Sequence, residues 1–396
     1  MFELLSGRGI GNCPSSYAFI YLFNTFTILG TNPPSDAGPL YYIWSAFLNT
    51  FCIIFSPFLC TVGFIMKYMQ STITTMQFLS GIQAGTNVLG IPPKCLTLAF
   101  SLKRMRSIEP LLDVMDARYT DPEDVALIRQ AAIMGNRLVF GFGMTYLTYM
   151  LLTITPPLIS GNVPLSIWIP FLDENQSTLH HLMQVVMDLF LMFFLLFHQV
   201  VNDSYGTVYI YVIRTHLRLL IRRVERLCVN GEKSVEDNMA ELVDCVTTHQ
   251  QILSLLTIIE PIISVTMFTQ FLIIAIILCV TMVNMFIFAD LSTQIASTFY
   301  FMCVLMQTSP CCYFATELKA DSERLPLAIF HCRWMDQDQR FRKVIIYFMH
   351  RAQSPIELMA MKLFPINVAT NISLAKFSFT LFTFIKEMGV GQDARE

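Results

Sequence analysis

The 396-residue chain is 54% apolar and only 14% charged, with a mean hydropathy of +0.54, a composition too greasy for an ordinary soluble protein. Its net charge of −3 argues against a nucleic-acid partner, and its eleven cysteines show no CxxC or Cys/His spacing that would suggest a metal site or a disulfide framework. Such a chain is built to sit in a lipid bilayer.

Residues 1–39 read as a cytoplasmic segment. Within it Tyr17 to Gly30 is apolar but too short to span, is interrupted by Asn24, and lacks a small-residue cleavage site; it reads as a helix at the inner membrane surface rather than a signal peptide. Leu40–Met66 is the clearest span, long enough at about 1.5 Å per residue to cross a hydrocarbon core of about 30 Å. Thr72–Leu98 is weaker, with Gln77, Ser80, Gln83, Thr86 and Asn87 along it, but the chain needs it to recross the bilayer. Ala132–Pro156 and Leu179–Val201 complete four spans over residues 40–201. In residues 202–257, Leu217, Leu220, Ile221, Val224 and Cys228 recur at helical spacing, Asn230-Gly231 breaks the pattern, and Ser234 with Asp237 opens a second helix. That predicts an antiparallel helical hairpin in the cytoplasm, the alternative being two amphipathic helices lying on the inner leaflet. Spans five and six, Ile258–Phe288 and Ile295–Leu318, fill residues 258–318; residues 319–363 add a helical anchor segment; span seven covers Phe364–Met388, and 389–396 is a short tail.

The basic residues sort these connections into two sets. Of 26 Lys and Arg, six lie between Lys103 and Arg137, six between Arg214 and Lys233, and eight between Lys319 and Lys362, with none from Thr155 to Thr178 or from Phe286 to Ser297. Basic loops stay in the cytosol, so seven spans put the amino terminus inside and the carboxyl terminus outside. Of three glycosylation sequons, at Asn175, Asn202 and Asn371, only Asn175 then falls in an external loop.

The last third reads Cys332-Arg333-Trp334, Arg340, Gln353-Ser354-Pro355 and Lys362-Leu363-Phe364-Pro365, followed by a Ser/Thr-studded helix ending near Lys386. This resembles the carboxyl-terminal signature of insect odorant receptors; the first two thirds match mainly in layout. The resemblance implies an all-helical, seven-transmembrane-helix protein with a cytoplasmic helical anchor domain. It implies an odorant-gated, non-selective cation channel, assembled as a heterotetramer with a shared co-receptor in the dendritic plasma membrane of an olfactory neuron, with no cofactor. It further implies a pore lined by the seventh helix and a site for a small volatile odorant among spans two, three, four and six. The segment between spans four and five lacks the co-receptor's long insertion, so the chain looks like an odorant-specific tuning subunit.

The residues can be set against those roles. Thr370, Ser373, Lys376, Thr380, Thr383 and Glu387 form one polar stripe on span seven, and Phe377, Leu381, Phe384 and Met388 an apolar stripe beside it. Polar residues in a bundle are often interhelical hydrogen-bond partners; the resemblance makes the stripe a pore lining, with Phe384 and Met388 at a hydrophobic constriction that gates by dewetting and Glu387 beside it favouring cations. Lys376 suits a cation pore poorly. An odorant pocket needs concave apolar surface with few polar groups. Candidates are Met76, Leu79, Ser80 and Gln83 on span two, Phe142, Thr145, Tyr146 and Tyr149 on span three, Met183, Met187, Phe190 and Phe194 on span four, and Phe299 and Tyr300 on span six. Each set equally describes core packing. Gly81 and Gly85 read as a close helix contact, and Asp188 as either an internal hydrogen-bond partner or a ligand or ion site.

Other functions fit less well. The charge partition and the missing Asp-Arg-Tyr and Asn-Pro-x-x-Tyr motifs oppose a G-protein-coupled receptor, and no internal repeat suggests a transporter. A gustatory-receptor-like channel shares the architecture but differs around span seven. No nucleophile-elbow, phosphate-loop or metal-ligand pattern suggests an enzyme.

Overall fold

Backbone polar groups inside a bilayer must be satisfied within their own segment, and this chain meets that demand with helices almost throughout. The computed structural model describes residue 5 and residues 13–70, 73–165, 167–170, 172, 176–229, 234–288 and 290–388. A 3-10 turn, Ser15–Phe19, leads into α1 (Ile20–Ile28), which buries Leu22, Phe23 and Phe26. The first span is α2 (Pro39–Thr50) and α3 (Ser56–Met69), continuous through a π turn at Phe51–Phe55. The turn sits just ahead of Pro57, which cannot donate a helical hydrogen bond and would crowd a regular preceding turn.

The second span is broken. A capping box of Thr74 and Gln77 opens α4 (Thr75–Leu89), which stops at Gly90; Pro92 and Pro93 then start α5 (Ile91–Arg106). A short α6 (Ile108–Asp116) follows. The long helices are α7 (Pro122–Ile159), α8 (Thr178–Glu225), α9 (Val235–Val283, prolonged by a π turn at Asn284–Phe288) and α10 (Leu291–His331). Then come α11 (Gln339–Ala352), a two-residue antiparallel pair of β1 (Met359–Ala360) and β2 (Phe364–Pro365), and α12 (Val368–Glu387). Among the described residues, six helical stretches are long and apolar enough to cross a membrane: Pro39–Met69, Pro122–Ile159, Thr178–Glu225, Val235–Phe288, Thr293–His331 and Val368–Glu387. The kinked, polar α4–α5 is the seventh member of the bundle and the weak one, as its Gln and Asn content foretells.

The expected cytoplasmic hairpin takes the form of unbroken extensions: α8 runs through to Glu225, and α9 begins at the Ser234–Asp237 capping box. The expected break at Asn230-Gly231 lies outside the described residues, as do Asn175 and the tail 389–396. Span seven starts later than its hydropathy indicates. Phe364-Pro365 is taken up in β2, after a turn in which Met361 and Lys362 have φ of 49° and 59°, and Asn367 caps α12 by accepting from Thr370 N at 2.8 Å.

One end of the bundle carries the basic clusters. There Arg222 and Arg226 pair with Asp121, Glu123 and Asp124 at the start of α7, Arg214 with Glu317 and Asp321 on α10, and Arg118 and Arg223 with Asp244 on α9. Four elements are thereby stapled together, so this end is a packed domain and not loose linker. Asn202 is buried, and Asn371 is hydrogen-bonded between helices.

Candidate functional site

A cavity of about 140 Å³ lies inside the bundle, walled by Phe64 of α3, Ala84, Asn87 and Val88 of α4, Tyr146, Tyr149 and Thr153 of α7, Met192, Leu195, Leu196 and Gln199 of α8, and Tyr300, Cys303 and Gln307 of α10. A second space of about 330 Å³ opens toward the end of the bundle opposite the basic clusters, lined by Met76, Ser80, Gln83, Pro156, Pro164 and Ser297. Phe64, Ala84, Tyr149, Thr153, Leu165 and Tyr300 border both, so the two read as a chamber and its vestibule. Small, apolar and sparsely polar, the chamber matches what a neutral small molecule needs.

Close packing builds it. A Cβ at Gly81 would come within 2.4 Å of the Phe64 ring and one at Gly85 within 3.2 Å of the Cys60 carbonyl oxygen, so these glycines bring α4 against α3. The Tyr300 hydroxyl donates to the Gln83 carbonyl at 3.0 Å, fixing the ring between the two spaces, and Asn284 Nδ2 donates to Ser80 Oγ at 2.9 Å.

The vestibule is roofed by the loop from α7 to α8, which folds into the bundle with Val163 and Ile167 buried. Leu165 N donates to Asp188 Oδ2 at 3.0 Å, Gln184 Nε2 to the Ile167 carbonyl at 3.0 Å, and Trp168 N to the Gly63 carbonyl at 3.2 Å. A Cβ at Gly63 would stand 2.9 Å from the Trp168 carbonyl oxygen, so glycine is what lets the loop lie that close. Asp188 therefore holds the roof.

The chamber floor is ionic. Lys94 Nζ lies 3.0 Å from Asp203 Oδ1, with both side chains 2% exposed. The other carboxylate oxygen accepts from the Tyr146 hydroxyl at 2.8 Å and from Gln199 Nε2. Tyr146 and Gln199 both face the chamber, so its polar floor groups are already committed to a buried charge pair.

Six of the fourteen sequence candidates come together here: Met76, Ser80 and Gln83 at the vestibule, Tyr146 at the floor, Tyr149 and Tyr300 between the two spaces. The others line neither. Leu79 packs with Met282, Val283 and Phe382, Phe142 lies in the main core, and the Thr145 hydroxyl bonds back to the Gly141 carbonyl. Phe190 and Phe194 make tilted and edge-to-face ring contacts with Phe47, Phe51 and Trp44 of the first span, Met187 packs against that core, Met183 is exposed, and Phe299 is half-buried outside both spaces. The α8 face that reaches the chamber is Met192, Leu195, Leu196 and Gln199, spaced 3, 1 and 3 like the set expected on α7, but rotated from the expected face. Among the described residues no cluster of His, Cys, Asp or Glu could hold a metal ion.

α12 packs through one face only. Ser378 Oγ donates to the Ala275 carbonyl of α9, Phe382 is buried beside Met282 and Val283, and Asn371 bonds with Thr308 and Ser309 of α10 at 2.9 Å each. Ser373, Lys376, Thr380, Thr383 and Glu387 fall on the opposite side of the helix, all exposed except the half-buried Thr383. Phe377, Leu381, Phe384 and Met388 form one shoulder of that polar stripe.

Residues 74–379 match the family model described as 7tm Odorant receptor. The chain belongs to that family. Among curated proteins, this odorant receptor is 34% identical over 378 residues to odorant receptor 42a of Drosophila melanogaster, covering 95% of this chain and 92% of that one. It is 32% identical to odorant receptor 42b of the same species, over 94% of this chain and 93% of that one. Among solved structures, the insect olfactory receptor OR5 from Machilis hrabei shares the fold, with a TM-score of 0.76 at 17% identity over 92% of this chain and 96% of its own. The receptor is thus a multi-pass membrane protein and not an enzyme.

Proposed function

We propose that this receptor is the odorant-specific subunit of a heterotetrameric, odorant-gated cation channel, working with a shared co-receptor in the plasma membrane of an olfactory dendrite. The basic end faces the cytosol, the roofed end faces outward with Asn175 as the one accessible glycosylation site, and a small neutral volatile occupies the chamber. The chamber's apolar walls support this, as does a structure of the Machilis hrabei receptor in complex with eugenol, similar over 93% of this chain.

The observation that carries the channel reading is the polar stripe on α12, turned away from the bundle on a helix otherwise apolar enough to span. A lysine facing lipid at mid-membrane costs about 3 kcal/mol, so Lys376 and the hydroxyls beside it call for water or protein. Four such helices around an axis supply a wet path. Phe384 and Met388, on its shoulder near the outer end, form the constriction. Coupling runs through α10: Tyr300, Cys303 and Gln307 touch the ligand on one face while Thr308 and Ser309 grip Asn371 of α12 on the next. A ligand that displaces α10 therefore moves the pore helix.

Current evoked by an odorant panel, recorded with and without the co-receptor, tests this. Odorant-dependent current only in the co-expressed state is expected. Thiol reagents should also block the Phe384→Cys and Met388→Cys channels when open; unmodified thiols in conducting channels would remove α12 from the pore.

A further inference from the structure

A second apolar cavity, about 400 Å³, lies outside the chamber between α1, α7 and α8, with Ile28, Phe140, Gly143, Leu196 and Phe197 among its walls. Gly143 makes the room: a Cβ there would meet only Val200 Cγ2, at 4.0 Å. Apart from Tyr21, Asn24 and Thr25 its walls are apolar, and Thr25 Oγ1 donates back to the Tyr21 carbonyl. Arg137 lies on the same face of α7 as Phe140 and Met144, on the basic side of the groove. Its Nε donates to the Leu5 carbonyl at 2.8 Å, and among the described residues its terminal nitrogens make no protein hydrogen bond. From Arg137 to Leu147 the helix rises about 15 Å, half the thickness of a hydrocarbon core of about 30 Å. The groove therefore extends through one leaflet, with a cation where that leaflet's headgroups lie.

We propose that this groove is a phospholipid site of the cytoplasmic leaflet, holding one acyl chain against Gly143 with the phosphate on Arg137. A cation at headgroup depth favours an anionic lipid. Assignment to that leaflet rests on the orientation proposed above; the site itself needs only that α7 and α8 span a bilayer. Leu196 is common to this groove and the odorant chamber, so the lipid chain backs one wall of the ligand space.

The full chain, purified and stripped of lipid, is titrated with phosphatidylglycerol and with phosphatidylcholine of the same acyl composition, and bound lipid is counted by native mass spectrometry. One phosphatidylglycerol should be retained in preference. Gly143→Phe, which fills the groove, should weaken its retention at least tenfold. Gly141→Phe, where an added Cβ meets nothing within 4 Å, should not. Arg137→Gln should keep the lipid but erase the preference for the anionic headgroup. Equal retention by wild type and Gly143→Phe, or equal loss in the two phenylalanine variants, overturns the site. A preference that survives Arg137→Gln overturns the headgroup assignment, and displacement of an apolar volatile rather than lipid by Gly143→Phe makes the groove a ligand path instead. None of these readouts involves current, so they fail independently of the channel reading.

Discussion

Replacing Lys94 by methionine would leave the Asp203 carboxylate buried without its cation. At 3.0 Å the pair attracts by about 5–6 kcal/mol for an effective dielectric of about 20. Breaking such a pair from one side costs about 3–5 kcal/mol, because the remaining buried charge has lost its counter-ion. Tyr146 and Gln199 still donate to the carboxylate, which places Lys94→Met at the lower part of that range. The double variant Lys94→Met/Asp203→Asn removes both charges while keeping an acceptor for Tyr146, and should recover all but about 1 kcal/mol. All eleven cysteines are buried and free, so a thiol-reactive dye reports thermal unfolding of the purified receptor directly. A double variant that melts no higher than Lys94→Met, or a single variant that melts with wild type, would refute the account of the floor as a charge pair.

Three other outcomes are expected. Tyr149→Ala removes a ring shared by chamber and vestibule and should shift the half-maximal odorant concentration about tenfold, near 1.4 kcal/mol, whereas Tyr146→Ala should shift it and lower the melting temperature too; unchanged dose–response curves would count against the chamber. Asn371→Ala should leave odorant-induced thermal stabilisation intact while reducing maximal current, and full-size currents would exclude α10 as the link. On the basic side, burial pushes His216, 3.0 Å from Ser15 Oγ, and His249 down to about 4, while burial raises Asp116 to about 6. A depressed imidazole contributes stability that is complete above about pH 6.5 and is lost toward pH 4, up to about 3 kcal/mol for each histidine. The raised Asp116 works in the opposite sense, so the double variant His216→Gln/His249→Gln should flatten the acid fall in melting temperature or reverse it; an unaltered pH profile would discount both groups.

The stripe on α12 was legible because hydroxyls and charges at spacings of 3 and 4 stand out against an apolar helix, and the packed face proved to be opposite. The chamber wall on α8 was not. Lipid and core both favour apolar side chains, so Met183, Met187, Phe190 and Phe194 were as plausible as Met192, Leu195 and Leu196, although the buried Gln184, Asp188 and Gln199 mark the inward face that Leu195 shares. The Lys94–Asp203 floor has no local signature either, its partners lying 109 residues apart, one in a proline-started turn and the other inside a sequon. The extra length of α8, α9 and α10 on the basic side followed from their charged and apolar periodicity, but the roof loop left only a sequon to read.

Asp188, Gln184 and Gly63 latch that roof over the vestibule, so on the proposed function a departing molecule passes beside it. Residence time in the chamber is then set as much by the latch as by contact with the walls. Two volatiles of equal affinity can thus differ in how long a response outlasts the stimulus.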